Sequence, residues 1–111
     1  NFEHFIYMEL RAYLDYARKK ESISYWRTKT GLEVDFIIGD AQIAIEVKIS
    51  EHVNKTDLKG LLTFCEEYPQ TKAFVVSQDS KSRLLEAGNG TKIHVIPWKD
   101  FLKKLWAGSL F

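Results

Sequence analysis

The stretch Gly31–Ser50, GLEVDFIIGDAQIAIEVKIS, decides how the chain folds. β-Branched and aromatic residues alternate with other side chains up to Gly39-Asp40 and resume beyond it, the pattern of two antiparallel strands joined by a short turn. Successive strand side chains point to opposite faces, so Glu33, Asp35 and Ile37 share one face while Val34, Phe36 and Ile38 take the other. In the second strand Ala44, Glu46 and Lys48 oppose Ile43, Ile45, Val47 and Ile49. If Ile38 pairs with Ile43, Asp35 falls opposite Glu46 and Glu33 opposite Lys48. A register slip of one residue would separate these groups.

Two carboxylates opposed in a sheet repel each other unless something positive sits between them. One reading is a divalent cation. Mg²⁺, or Mn²⁺ in its place, takes oxygen ligands, keeps several waters and commonly uses only one or two protein carboxylates. The other reading is a solvated polar face on which Glu33 and Lys48 form a weak cross-strand ion pair. The pattern alone does not choose between them.

Upstream, residues from about Phe2 to Lys20 carry Phe2, Phe5, Ile6, Leu10, Tyr13 and Ala17 at helical spacing, one apolar stripe on an amphipathic helix. At roughly 100° per residue Glu9 projects between Phe5 and Tyr13, inside that stripe, whereas Glu3 falls on or near the opposite side. A carboxylate aimed at a core needs a partner. Glu9 either reaches water or a cation at the stripe's edge, or joins Asp35 and Glu46 as a third acid. Ser22–Lys29, SISYWRTK, reads as a strand pairing with the Glu33 strand, and its Arg27 and Lys29 are candidate phosphate contacts or solvated cations.

Downstream, a helix is expected from about Thr56 or Asp57 to Tyr68, capped by Asn54 or Thr56 and stopped by Pro69. Lys55 and Lys59 lie near its start, where backbone N–H groups also favour anions. Ala73–Ser77 is a short apolar strand, and the succession strand, helix, strand places it parallel to the Ile43 strand. Arg83–Ala87 reads as a helical turn, Gly88-Asn89-Gly90 as a loop, Lys92–Ile96 as a strand and Trp98–Trp106 as a closing amphipathic helix. The result is a single α/β domain spanning 1–111, with helices flanking a mixed sheet.

Composition narrows the class. A chain of 111 residues that is 45% hydrophobic can bury one core. Its net charge of +1 gives no global attraction to nucleic acid, so such binding must use local patches. No apolar run is long enough to cross a bilayer. The single cysteine, Cys65, excludes an internal disulfide and fits a reducing cytoplasm. The opening on Asn1 without a signal peptide suggests a piece of a longer protein. Trp98, Trp106, Leu110 and Phe111 are candidates for an exposed apolar patch, and an oligomer is possible.

Asp35 followed by Glu46-Val47-Lys48, on the second and third strands of an α-β-β-β-α-β order, resembles the PD-(D/E)XK nuclease superfamily with its restriction-endonuclease-like fold. More closely, YWRTKTGLEVDFII…IAIEVK with DLKGLLTFCEEYP resembles the DUF4143 domain at the C-terminus of prokaryotic AAA-type ATPases. The resemblance implies a Mg²⁺- or Mn²⁺-dependent DNA nuclease domain. Asp35 and Glu46 would be metal ligands, Glu9 the acid often found on the first helix, Lys48 the catalytic lysine, and the Val47 carbonyl a further ligand. It also implies an ATPase module upstream in the same polypeptide. The alternative within the same family is an inactive module that binds nucleic acid or a protein partner and regulates the ATPase. Val34 stands where the superfamily often has proline, and the second helix lacks the Gln-x-x-x-Tyr signature of one branch, which leaves Lys59 as the substitute phosphate contact.

Overall fold

The structure is a computed structural model and describes all 111 residues. The first helix, α1 (Phe2–Tyr16), starts where Asn1 Oδ1 accepts the His4 N–H at 2.7 Å. It ends short of the expected Lys20. Arg18 turns into the left-handed region at φ 55°, and the Lys19 and Arg18 N–H groups bond back to the carbonyls of Leu14 and Asp15.

Strands β1 (Ile23–Arg27), β2 (Glu33–Ile38) and β3 (Ile43–Val47) follow as an antiparallel meander. The expected register holds: Ile38 faces Ile43, Ile37 faces Ala44 and Phe36 faces Ile45. The turn between β2 and β3 needs glycine at Gly39, whose φ is 66°. A single 3₁₀ turn (Lys55–Asp57) leads into α2 (Lys59–Glu67), with the Asn54 N–H donating to Asp57 Oδ2.

Strand β4 (Lys72–Ser77) then lies parallel to β3, with Glu46 beside Val75, as the strand-helix-strand order predicts. Arg83–Glu86 forms a strand, β5, and not the expected helical turn. It pairs antiparallel with β6 (Lys92–Pro97) across the Gly88–Gly90 loop, and that pairing supplies backbone partners an isolated helical turn would lack. Helix α3 (Trp98–Trp106) closes the chain.

The six strands form one mixed sheet in the order β1-β2-β3-β4-β6-β5, in which β3–β4 and β4–β6 are the parallel pairs. Helices cover both faces. On one, Ile6 and Leu10 of α1 and Phe101 and Leu105 of α3 pack on Phe36, Ile38, Ile45 and Val76. On the other, Leu58 with Leu61, Phe64 and Cys65 of α2 meets Val34, Ile37, Ala44 and Val75. Each face buries a dozen or so apolar side chains, enough for a stable two-sided core. Leu110 is buried and Phe111 half-buried against the α1–α3 face, so neither contributes to an open patch, whereas Phe5, Met8, Tyr16 and Trp106 remain exposed. No helix is long and apolar enough to cross a membrane.

Candidate functional site

The site grows from an irregularity in β2. Ser24 of β1 pairs with Ile37, but Trp26 pairs with Val34, so Tyr25 alone stands opposite Asp35 and Phe36. This bulge interrupts the strict alternation. Val34 now shares the α2 side with Ile37, while Phe36 and Ile38 keep the α1 side.

On the other edge of β2, pairing with β3 reaches Phe36–Ile45, which brings Asp35 alongside Glu46. There the backbone ladder gives way to side chains. Glu46 Oε1 accepts the Asp35 N–H at 3.1 Å, and Asp35 Oδ2 accepts the Val47 N–H at 2.8 Å. Each carboxylate thus satisfies a backbone donor on the opposite strand, fixing both acids at the end of the hairpin.

That interlock has an electrostatic cost. Glu46 is only 6% exposed. Burial, then the Asp35 carboxyl beside it, push its carboxyl from 4.5 up to about 8, although the Asp35 N–H acts the other way. Lys48 opposes the shift with Nζ 3.7 Å from Glu46 Oε2, but does not cancel it. On the α1 side Glu3 faces Asp35, and its carboxyl is also raised, first by partial burial and then by the Asp35 carboxyl beside it.

Glu3, Tyr7, Tyr25, Arg27, Glu33 and Asp35 line a cleft of about 250 Å³. Arg27 Nε lies 3.2 Å from Glu33 Oε2. Its guanidinium also sits over the Tyr25 ring, 5.1 Å from the centroid. A larger cleft of about 540 Å³, lined by Lys72, Lys92, His94 and the Asn89-Gly90 loop, contains none of these acids.

The structure therefore brings Asp35, Glu46 and Lys48 together. Glu9 is elsewhere: its carboxylate accepts the Trp106 indole N–H at 3.3 Å, between α1 and α3. The α1 acid beside Asp35 is Glu3, which helical periodicity put on or near the face opposite the core. Periodicity gives a residue's angle around the helix axis but not which end of the helix overhangs the hairpin, so spacing alone did not single Glu3 out.

Among the candidate phosphate contacts, Arg27 lines the cleft and Lys29 is exposed in the turn after β1. Lys55 and Lys59 are exposed at the start of α2, on the sheet face that also carries Glu46. α2 approaches β2 so closely that a Cβ at Gly60 would collide with the Glu33 carbonyl oxygen. No three His, Cys, Asp or Glu side chains converge into a metal cage. Any bound cation would rely on the Asp35–Glu46 pair, backbone oxygens and water.

A protein-family model, described as a domain of unknown function (DUF4143), matches residues 1–101. The chain belongs to the DUF4143 family. No curated protein and no solved structure matched it. The matched span of this DUF4143 domain runs from α1 to Phe101 in α3, so Glu3, Asp35, Glu46, Lys48 and the cleft around them all lie inside the family region.

Proposed function

We propose that this DUF4143 domain is a metal-dependent nuclease module of restriction-endonuclease-like type, hydrolysing DNA phosphodiester bonds beside an AAA-type ATPase module in the same polypeptide. The observation that carries the reading is the interlocked pair Asp35–Glu46 with Lys48 at its edge. Two carboxylates held together, one of them buried and raised to about 8, form a donor set whose repulsion a divalent cation relieves. The α-β-β-β-α-β order of α1 to β4, with the acids on β2 and β3, supports the restriction-endonuclease-like assignment.

In this reading Asp35 and Glu46 hold Mg²⁺ or Mn²⁺ with backbone oxygens and water, and Glu3, not Glu9, is the first-helix acid beside them without being a third ligand. A bound divalent ion supplies Lewis acidity toward the phosphodiester and a water of lowered pKa. The chain's own contribution is positional. Backbone N–H groups fix each carboxylate, and Glu46 holds the Lys48 ammonium where it stabilises charge developing on the phosphate. Arg27, Lys29, Lys55 and Lys59 contact the flanking phosphates and so set affinity and register, not sequence preference.

The test is cleavage of single-stranded circular DNA and of plasmid DNA by the 111-residue chain with Mg²⁺ or Mn²⁺. Cleavage should require metal, disappear in Asp35→Ala and fall about 10²-fold or more in Lys48→Ala. Cleavage that persists in EDTA or in folded Asp35→Ala contradicts the assignment.

A second reading draws on the same geometry. Both Glu46 oxygens are engaged, one by the Asp35 N–H and the other by Lys48, and its carboxyl is largely protonated at neutral pH. A module so neutralised suits a non-cleaving domain that binds nucleic acid or a protein partner and regulates the ATPase. Salt-sensitive DNA binding without cleavage at any pH would select it.

A further inference from the structure

We infer that the cleft beside Asp35 is a stacking slot for one unpaired nucleobase, so that the chain engages single-stranded rather than duplex nucleic acid. The inference rests on the phosphodiester reading of Asp35 and Glu46 and names its substrate class. It starts from Tyr25, which is 69% exposed on the edge strand β1. The bulge in the β1–β2 pairing sets Tyr25 directly opposite Asp35 and Phe36, so the acid and the exposed ring share one opening.

Three aromatic residues, Tyr25, Tyr7 and Phe36, line that opening. Tyr25 carries the Arg27 guanidinium over its ring, and Arg27 is itself steadied by Glu33. Tyr7, from α1, is backed by Phe36 with ring centroids 5.9 Å apart. Aromatic and guanidinium planes are the surfaces on which unpaired bases stack, whatever their sequence.

Size and charge select the occupant. At about 250 Å³ the cleft falls below the volume usual for drug-sized ligands and suits one flat ring system. Its rim carries the Glu3, Glu33 and Asp35 carboxyls. If a cation on Asp35 draws in the scissile phosphate, the Glu3 and Glu33 oxygens that remain accept hydrogen bonds from exocyclic amino groups and repel any further phosphate, so a base and not a second stretch of backbone belongs inside. A duplex keeps its bases stacked within the helix and cannot offer a ring face to Tyr25 without unpairing.

The test is equilibrium binding by fluorescence anisotropy, with Ca²⁺ present, of fluorescein-labelled oligo-dT, oligo-rU and a DNA duplex of equal length. The single strands should bind more tightly than the duplex. Tyr25→Ala should weaken single-strand binding about tenfold or more and leave duplex binding unchanged, while Tyr25→Phe, which keeps the ring, should bind like the wild type. A preference for oligo-dT or oligo-rU identifies the natural strand, and either one supports the slot. Equal affinity for strand and duplex, or single-strand binding unaffected by Tyr25→Ala, overturns it.

Mn²⁺ titration of the same variants separates this inference from the one beneath it. Metal binding at Asp35 and Glu46 with a silent Tyr25→Ala removes only the slot. Tyr25-dependent strand binding without metal binding retains the slot and removes the nuclease.

Discussion

Replacing Glu46 with glutamine isolates the cost of holding two carboxylates at the end of the hairpin. Burial and Asp35 raise the Glu46 carboxyl from 4.5 to about 8. Between those values the folded chain keeps a proton that the unfolded chain has released, so stability falls as pH rises through the window and levels off above about pH 8. Each pKa unit is worth about 1.4 kcal/mol, which puts an upper bound of roughly 5 kcal/mol on the loss.

Glutamine keeps an amide oxygen for the Asp35 N–H but cannot ionise. Urea unfolding of the metal-free chain, followed by circular dichroism from pH 5 to pH 9, reads the difference directly. Wild type and Glu46→Gln should differ little near pH 5, and the variant should become more stable by a few kcal/mol above pH 8. A difference that stays constant across the range would refute the raised Glu46 carboxyl.

Other sites give sharper structural tests. Gly60→Ala should destabilise the chain by about 1–3 kcal/mol in thermal or urea unfolding, because the new methyl collides with the Glu33 carbonyl oxygen and outweighs the gain in helix propensity. Asp79 is buried; burial alone would raise its carboxyl, but hydrogen bonds from Ser77 and Arg83 and the charge of Arg83 hold it below the usual 3.8. Its contribution is therefore present at neutral pH and lost as pH falls through the acid range. Asp79→Ala should cost on the order of 3 kcal/mol at pH 7, with the gap from wild type narrowing toward pH 3. Burial pushes the Cys65 thiol up to about 11, so a disulfide reagent at pH 8 should label the native chain only as fast as it opens and the urea-unfolded chain at once.

The hairpin was legible because its signal is local. Alternation in β2 and β3 and a glycine turn between them fixed the register, and the register alone placed Asp35 beside Glu46. The parallel placement of β4 followed from the intervening helix. What escaped was set by contacts distant in sequence. Arg83–Glu86 is too short to show a period, and only pairing with β6 makes it a strand. The bulge in β2 comes from its pairing with β1, so strict alternation put Val34 on the face of Phe36 when it lies with Ile37. Glu9 and Glu3 exchanged places because helical spacing carries no information about how α1 crosses the sheet. Arg83 joins Asp79 and the Val53 carbonyl across a loop, a contact no motif announces.

In the proposed function Asp35 and Glu46 form a divalent-cation site. Calorimetric titration of Mn²⁺ at pH 8 into the wild type, Asp35→Ala and Glu46→Ala, each checked for folding by circular dichroism, tests it most directly. Saturable binding to the wild type, lost in both folded variants, is the expected result. Absence of binding to the wild type at millimolar Mn²⁺, or binding that survives in both variants, would contradict it.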